Sequence, residues 1–119
     1  MIDIKLLEQL CLCNGISGDE GNVRNLIINE IKDCADDIKT DNLGNLIVFK
    51  KGKKSAKSKL MVSAHMDEVG LMVTDITSDG YLKFDEVGGI DRRVLPGKRV
   101  CVGSNGLNGV IGVKPIHLT

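Results

Sequence analysis

The sequence has few aromatic residues and no excess charge of either sign. It contains no tryptophan, and Phe, Trp and Tyr together make up 3% of its 119 residues. Lys plus Arg and Asp plus Glu number 16 each, so no overall field draws the chain to nucleic acid or to an anionic surface. It also has few aromatic side chains to stack on bases, and it lacks an apolar run of about 18 residues to cross a bilayer. The composition therefore predicts neither a nucleic-acid partner nor a membrane partner.

The cysteines and the N-terminus indicate a cytoplasmic protein. Cys11, Cys13, Cys34 and Cys101 show no Cys-x-x-Cys spacing, and the first residues lack the basic stretch and apolar run of a secretory signal. We expect reduced, mostly buried cysteines, as is typical of cytosolic proteins. Metal ligation by Cys11 and Cys13 is a weak alternative, because residues two apart on a helix point away from each other.

Two helices are predicted before any strand. Apolar residues recur at helical spacing from residue 2 to residue 13, with Asp3 as the N-cap. A second apolar face runs from Val23 to about Ala35. The preceding Ser17 and Glu20 form a capping-box pattern, in which each side chain would bind the other's backbone N–H.

After residue 37 the pattern becomes that of short strands. We predict strands at 38–41 and 46–50, a buried strand at 59–65, a hairpin of 71–77 with 81–85, and a hairpin of 100–102 with 110–113. Short strands, many glycines and no helical period in the second half suggest a small barrel or sandwich. This change places a domain boundary near Val69.

The buried strand ends in a group of polar residues. Side chains two apart on a strand share a face, so His65 and Asp67 point into the same space and Glu68 points the other way. Imidazole is a good ligand for zinc or cobalt, and a carboxylate on its other nitrogen fixes the tautomer. On spacing alone, a hydrogen-bonded structural histidine remains the commoner alternative. The only other histidine is His117, far along the chain.

Five stretches in this order closely resemble the start of a known family: "NGISGDEGNVRNLI", "DNLGNLIV", "LMVSAHMDEVGLMV", "VGGIDRRVLPGKRV" and "GVIGVKPIHL". It is the glutamyl and tetrahedral aminopeptidase family, whose members are cytosolic metallopeptidases, some of them labelled cellulase or endoglucanase. The resemblance implies an α/β fold: a helix-sheet-helix metallopeptidase core, of which residues 1–68 are the N-terminal part, followed by the start of an inserted β-barrel domain at residues 69–119.

The resemblance also implies a site. The histidine of the family's "AHMDEVG" motif binds one of two divalent metal ions, zinc or cobalt, and here it is His65. The aspartate that supports it, the one catalytic residue we predict, is Asp67, whereas His117 falls in a loop of the barrel. Peptide substrates and a homo-oligomer are implied as well.

The remaining ligands and the general base of the family match nothing in residues 1–119. The resemblance therefore implies an N-terminal fragment of a metal-dependent aminopeptidase, inactive alone. The alternative is a non-catalytic product that acts only in folding or oligomerisation. A literal cellulase is disfavoured, because Asp67 and Glu68 face opposite sides and cannot flank one glycosidic bond.

Overall fold

Two helices and three β-hairpins make up the part of the chain that the computed structural model describes, residues 3–54 and 57–113. The helices are α1 (Ile4–Leu12) and α2 (Gly21–Ile31). The strands are β1 (Asp37–Thr40), β2 (Leu46–Phe49), β3 (Gly70–Ile76), β4 (Leu82–Val87), β5 (Arg99–Val102) and β6 (Leu107–Val110), with a 3-10 turn at Arg92–Val94.

Both helices form, but only the first has the predicted cap. Asp3 Oδ1 accepts hydrogen bonds from the backbone N–H of Lys5 and Leu6, at 3.0 and 3.2 Å. The predicted capping box of Ser17 and Glu20 is wrong. Glu20 is itself the N-cap of α2 and makes no side-chain cap, because its Oε1 accepts from the N–H of Gly18 at 2.7 Å. The second helix ends at Ile31, about one turn earlier than predicted.

The first two hairpins agree with the sequence prediction. Strands β1 and β2 pair antiparallel with Asp37 opposite Phe49, and β3 and β4 pair with Gly70 opposite Val87. Both are local pairings around turn residues, with Gly44 and Gly80 in the left-handed region at φ 87° and 83°. Glycine adopts that conformation without steric cost, so these turns follow directly from the sequence.

The third hairpin is tighter than predicted. Strand β6 begins at Leu107 rather than Val110, because Gly103 and Gly106 take positive φ and close a short turn. Gly109, expected in the loop, instead lies opposite Val100 within the ladder. A Cβ on Gly109 would lie 3.1 Å from a Val100 methyl carbon, so a residue without a side chain fits this tight position.

The predicted buried strand at 59–65 is wrong for the described chain. This segment carries no strand assignment, and Leu60, Met61 and Val62 are 92%, 87% and 85% exposed. The apolar run indicates burial, but burial requires neighbouring strands, and none pairs with it among the described residues. We name residues 59–64 the bare segment.

The described part of the chain buries few hydrophobic side chains in either of its two compact units. Its buried hydrophobic residues are Val23 and Ile111. The expectation of mostly buried cysteines is also wrong, since Cys11, Cys34 and Cys101 are exposed and Cys13 is half-buried. These cysteines are accessible because little of the described structure covers them.

The chain divides into two compact units, Met1–Gly88 and Gly89–Thr119, so β3 and β4 belong with the first. The boundary predicted near Val69 stays a prediction. The architecture is mixed α and β, as predicted, but the described strands form three separate two-stranded sheets, not one sheet between helices or a closed barrel. In the described ranges, no helix is long and apolar enough to cross a membrane.

Candidate functional site

His65 and Asp67 contact each other directly, as their spacing predicts. Nδ1 of His65 lies 3.2 Å from Oδ1 of Asp67 and 3.0 Å from the Asp67 backbone oxygen. Both neighbours are acceptors, so Nδ1 carries the proton in the neutral ring, and Nε2 then presents its lone pair. The His65 side chain is 85% exposed and the Asp67 side chain 39%. The pair therefore offers an accessible imidazole nitrogen with its tautomer set by a carboxylate.

The segment that carries this pair is anchored to the loop between the helices. The Glu68 N–H donates to the Gly15 carbonyl at 2.8 Å, and Ile16 and Glu68 form a parallel β-bridge. Gly15 packs against α2, where a Cβ on Gly15 would lie 2.5 Å from a methyl carbon of Val23. Because any larger residue would collide there, Gly15 sets how closely the His65–Asp67 segment approaches α2.

A cleft of about 150 Å³ lies beside the pair. Its walls come from three parts of the first unit: Glu20, residues 43–45 and residues 64–67. The cleft is large enough for a few water molecules or an ion with its hydration. Glu20 and the His65–Asp67 pair therefore line the same cleft.

The 43–45 wall is held by Asp41 and Arg24, two residues that the sequence prediction missed. Asp41 Oδ1 accepts from the N–H of Leu43 and of Asn45, both at 2.9 Å, and Oδ2 accepts from the Asn45 amide at 2.9 Å. The Asn45 side-chain hydrogen bond, helped by the backbone donors, lowers the pKa of Asp41. The "DNLGN" turn offered a signal for Asp41, because aspartate commonly accepts from N–H groups a few residues on.

Arg24 links α2 to the same wall. One guanidinium nitrogen donates to the Gly44 carbonyl at 2.7 Å, and a Cβ on Gly44 would lie 2.9 Å from that nitrogen. A positively charged side chain on the apolar stretch of α2 was the only sequence signal for this contact. Helix α2 thus supports both the His65 segment, through Gly15, and the opposite wall of the cleft, through Arg24.

The described side chains at the cleft supply one candidate metal ligand, His65, which is fewer than a complete metal site requires. Zinc takes three or four protein ligands in most sites. Within residues 3–54 and 57–113, no group of three or more His, Cys, Asp or Glu side chains is placed to hold a metal ion. His117, predicted to be a loop residue, lies outside the described residues. His65, backed by Asp67, has the arrangement of a single imidazole ligand with its supporting carboxylate.

Comparison with known proteins shows that the chain is similar to aminopeptidases. The model of the M42 glutamyl aminopeptidase family matches residues 44–119, so the chain belongs to that family. It is 39% identical to the lysyl aminopeptidase of Pyrococcus furiosus, over 99% of this chain and 34% of that protein. The family identified from the sequence is confirmed.

Solved structures share the fold. A Thermotoga maritima protein described as an endoglucanase is 51% identical and superposes with a TM-score of 0.84, over 92% of this chain and 34% of its own. The TET1 peptidase of Pyrococcus horikoshii, described as assembling into a tetrahedron or a large octahedral shell, is 47% identical with a TM-score of 0.79, over 98% of this chain and 34% of its own. The chain spans about a third of the length of the relatives it matches.

Proposed function

We propose that this chain contributes a metal ligand to a metal-dependent aminopeptidase that removes N-terminal residues from peptides. The observation that carries the proposal is the contact between His65 and Asp67, which leaves Nε2 of an exposed imidazole available beside a cleft. Family membership supports the reaction class. A lone imidazole does not complete a metal site, and in this proposal the remaining ligands come from polypeptide outside residues 1–119.

The two side chains have different tasks in this proposal. His65 binds one of two divalent ions, zinc or cobalt, through Nε2. Asp67 accepts a hydrogen bond from Nδ1–H, which would fix the ring and raise the basicity of the ligating nitrogen. When bound, such ions activate a water molecule and polarise the scissile carbonyl. In the complete enzyme we further propose the helix-flanked sheet and the inserted barrel that the family resemblance implies, and a cytoplasmic homo-oligomer like the shells formed by the TET1 peptidase.

A fusion protein tests the proposal. Residues 1–119 are joined to the remaining two thirds of the Thermotoga maritima relative, and metal content and hydrolysis of an aminoacyl chromogenic substrate are measured. We expect His65→Ala to lose one metal ion per subunit and nearly all turnover. His117→Ala, at the only other histidine, is the matched control and should keep both. A His65→Ala fusion with full metal content and normal turnover would return His65 to a structural role.

The alternative function, a module for folding or oligomerisation only, is favoured by one observation, the exposure of the bare segment. Such a module needs no metal. If the fusion protein with native His65 binds no metal and its assembly is unchanged by His65→Ala, this alternative replaces the enzymatic role.

A further inference from the structure

Glu20 does not cap α2, although it stands at the N-cap position. Its Oε1 instead accepts a hydrogen bond from the backbone N–H of Gly18 at 2.7 Å, and the residue is half-buried beside the cleft. A charged acceptor makes a stronger hydrogen bond than a neutral one. The contact therefore ties the loop before α2 to the N-terminal end of the helix.

The loop that Glu20 holds is a closed β-turn of residues 16–19. The N–H of Asp19 donates to the Ile16 carbonyl at 2.8 Å, and Gly18, the third residue of the turn, has a φ of 91°. A positive φ at the third residue, with none at the second, is typical of a type II turn. The Gly18 N–H takes no part in the turn's own hydrogen bond, so Glu20 adds a second, independent restraint on the same turn.

The first residue of this turn is the one that pairs with the segment of His65. Ile16 forms the bridge with Glu68, next to the 2.8 Å hydrogen bond from the Glu68 N–H to the Gly15 carbonyl. On the other side of Glu68, Gly70 approaches the Ile16 side chain so closely that a Cβ on Gly70 would collide with it. A movement of Ile16 is therefore passed to Glu68, three residues from His65.

We propose that Glu20 is a positioning residue, which holds the His65–Asp67 pair at the cleft by fixing the turn of residues 16–19. The path of contacts runs from Glu20 through the turn to Glu68, and it requires no contact of Glu20 with substrate or metal. The proposal rests on the proposed function, which gives this position its purpose. The position itself is measured without metal or substrate, so that either proposal can fail alone.

Two conservative variants separate the acceptor oxygen of Glu20 from its charge. Glu20→Gln removes the charge and keeps an oxygen at the same distance from the backbone. Glu20→Asp keeps the charge but draws the oxygens back by one methylene, and Glu20→Ala removes both. The rate of hydrogen exchange at the Glu68 amide is measured by mass spectrometry in the chain of residues 1–119, at low concentration and without metal.

We expect Glu20→Ala and Glu20→Asp to raise the exchange rate at Glu68 by about 10-fold, as the loss of one hydrogen bond to a charged group allows local opening. Glu20→Gln still accepts through a neutral oxygen and should raise it by less than about threefold. Asp19→Ala, at an exposed carboxylate of the same turn, is the matched control and should leave the rate unchanged.

The order of the variants decides between positioning and charge. Aspartate is among the best N-cap residues, so a capping or cation-binding role predicts native exchange in Glu20→Asp and fast exchange in Glu20→Gln, and that order would overturn the proposal. Native rates in every variant would mean that the turn holds itself. Equal acceleration at Glu68 and throughout α2 would indicate a general loss of stability, which also contradicts a positioning role.

The same variants in the fusion protein with the Thermotoga maritima relative extend the test to the ligand. Glu20→Ala should weaken zinc binding by about 10-fold, the low end for residues that orient a ligand, and Glu20→Gln should restore most of it. Unchanged zinc affinity together with faster exchange at Glu68 would show that Glu20 holds the turn but not His65, and the proposal would be wrong. A fusion protein that binds no zinc contradicts the proposed function and leaves the exchange result, and the role of Glu20 in it, in place.

Discussion

The His65 ring is positioned by its neighbour two residues away rather than by packing. Among the described residues its hydrogen-bonding partner is Asp67, which offers two oxygens to the same ring nitrogen, and the side chain is 85% exposed. Such a local arrangement sets the direction of the ring and the location of its proton. It restricts the position of the ring much less than a packed environment would.

The tautomer of His65 should depend on the Asp67 carboxylate. At a pH where the ring is neutral, we expect the Nδ1–H form to predominate, because both nearby groups are acceptors. Asp67→Ala removes the carboxylate and should lower the population of that form. Long-range ¹H–¹⁵N correlation spectra of the two nitrogens measure this directly. An Nε2–H tautomer in the unmodified chain would contradict the assigned contact.

Asp41 should make the 43–45 wall sensitive to acid. Its pKa is held below the usual 3.8, first by the Asn45 side-chain hydrogen bond, so the carboxylate form is the one that stabilises the folded turn. That stabilisation is present above the ordinary pKa and is lost as the pH falls through the lowered value. Amide shifts of Leu43 and Asn45 should therefore titrate with a midpoint below 3.8.

Replacing the partner tests the cause of this shift. Asn45→Ala removes the largest contribution and should move the midpoint of the Leu43 amide titration upward, toward the ordinary aspartate value. An unchanged midpoint would mean that the backbone donors alone hold the turn.

Among the elements, α2 determines the geometry of the site. It contacts the His65 segment through Gly15 and the opposite cleft wall through Arg24. The closest of these contacts is the approach of Gly15 to Val23, which leaves no room for a side chain. A change at this position should therefore shift α2 relative to the segment that leads from His65 to Glu68.

Gly15→Ala should destabilise the chain by about 1–3 kcal/mol, the usual cost of overpacking, since its Cβ would collide with Val23. Gly89→Ala is the control, because a Cβ there meets no atom within 4 Å and its φ is not positive. Urea unfolding monitored by circular dichroism compares the two. Val23→Ala alone removes a buried side chain and is also destabilising, but the double change makes room, so its loss should be smaller than the sum of the two single losses. An additive loss would mean that backbone freedom rather than contact explains the effect of Gly15→Ala.

The sequence predicted the elements that depend on contacts between residues close together in the chain, and it missed contacts between distant residues. The first two hairpins were predicted because alternation and turn glycines are local signals. The His65–Asp67 contact was predicted for the same reason, since it joins residues two apart. The Arg24–Gly44 hydrogen bond was missed, because nothing local indicates which carbonyl a distant guanidinium reaches. The strand at 59–65 was wrong because its apolar pattern describes an environment that residues 3–54 and 57–113 do not provide.

At the scale of the whole molecule, many apolar side chains lie in solvent. Besides the bare segment, Phe49, Met72 and Ile76 are 53%, 56% and 66% exposed. The formal net charge is zero, so no long-range repulsion keeps copies apart. Strand edges without partners add backbone groups that pair readily with another chain.

We therefore expect the isolated chain to self-associate or aggregate as its concentration rises. Light scattering over a hundredfold concentration range should show an increasing mean mass, and raising the salt concentration should not reverse it, because the contacts are apolar. A constant monomer mass at the highest concentration would contradict this expectation.

The bridge between Ile16 and Glu68 has a consequence for the order of folding. It joins residues about fifty positions apart, whereas every hairpin closes over a short turn. Contacts between distant residues form more slowly, because a long loop must be closed before any interaction compensates for the lost chain entropy. We therefore expect the hairpins to form early and the bridge to form late. Since the bridge carries the segment of His65 to the cleft, we expect the His65 ring to reach its position only at the end of folding, when most of the surrounding structure has already formed.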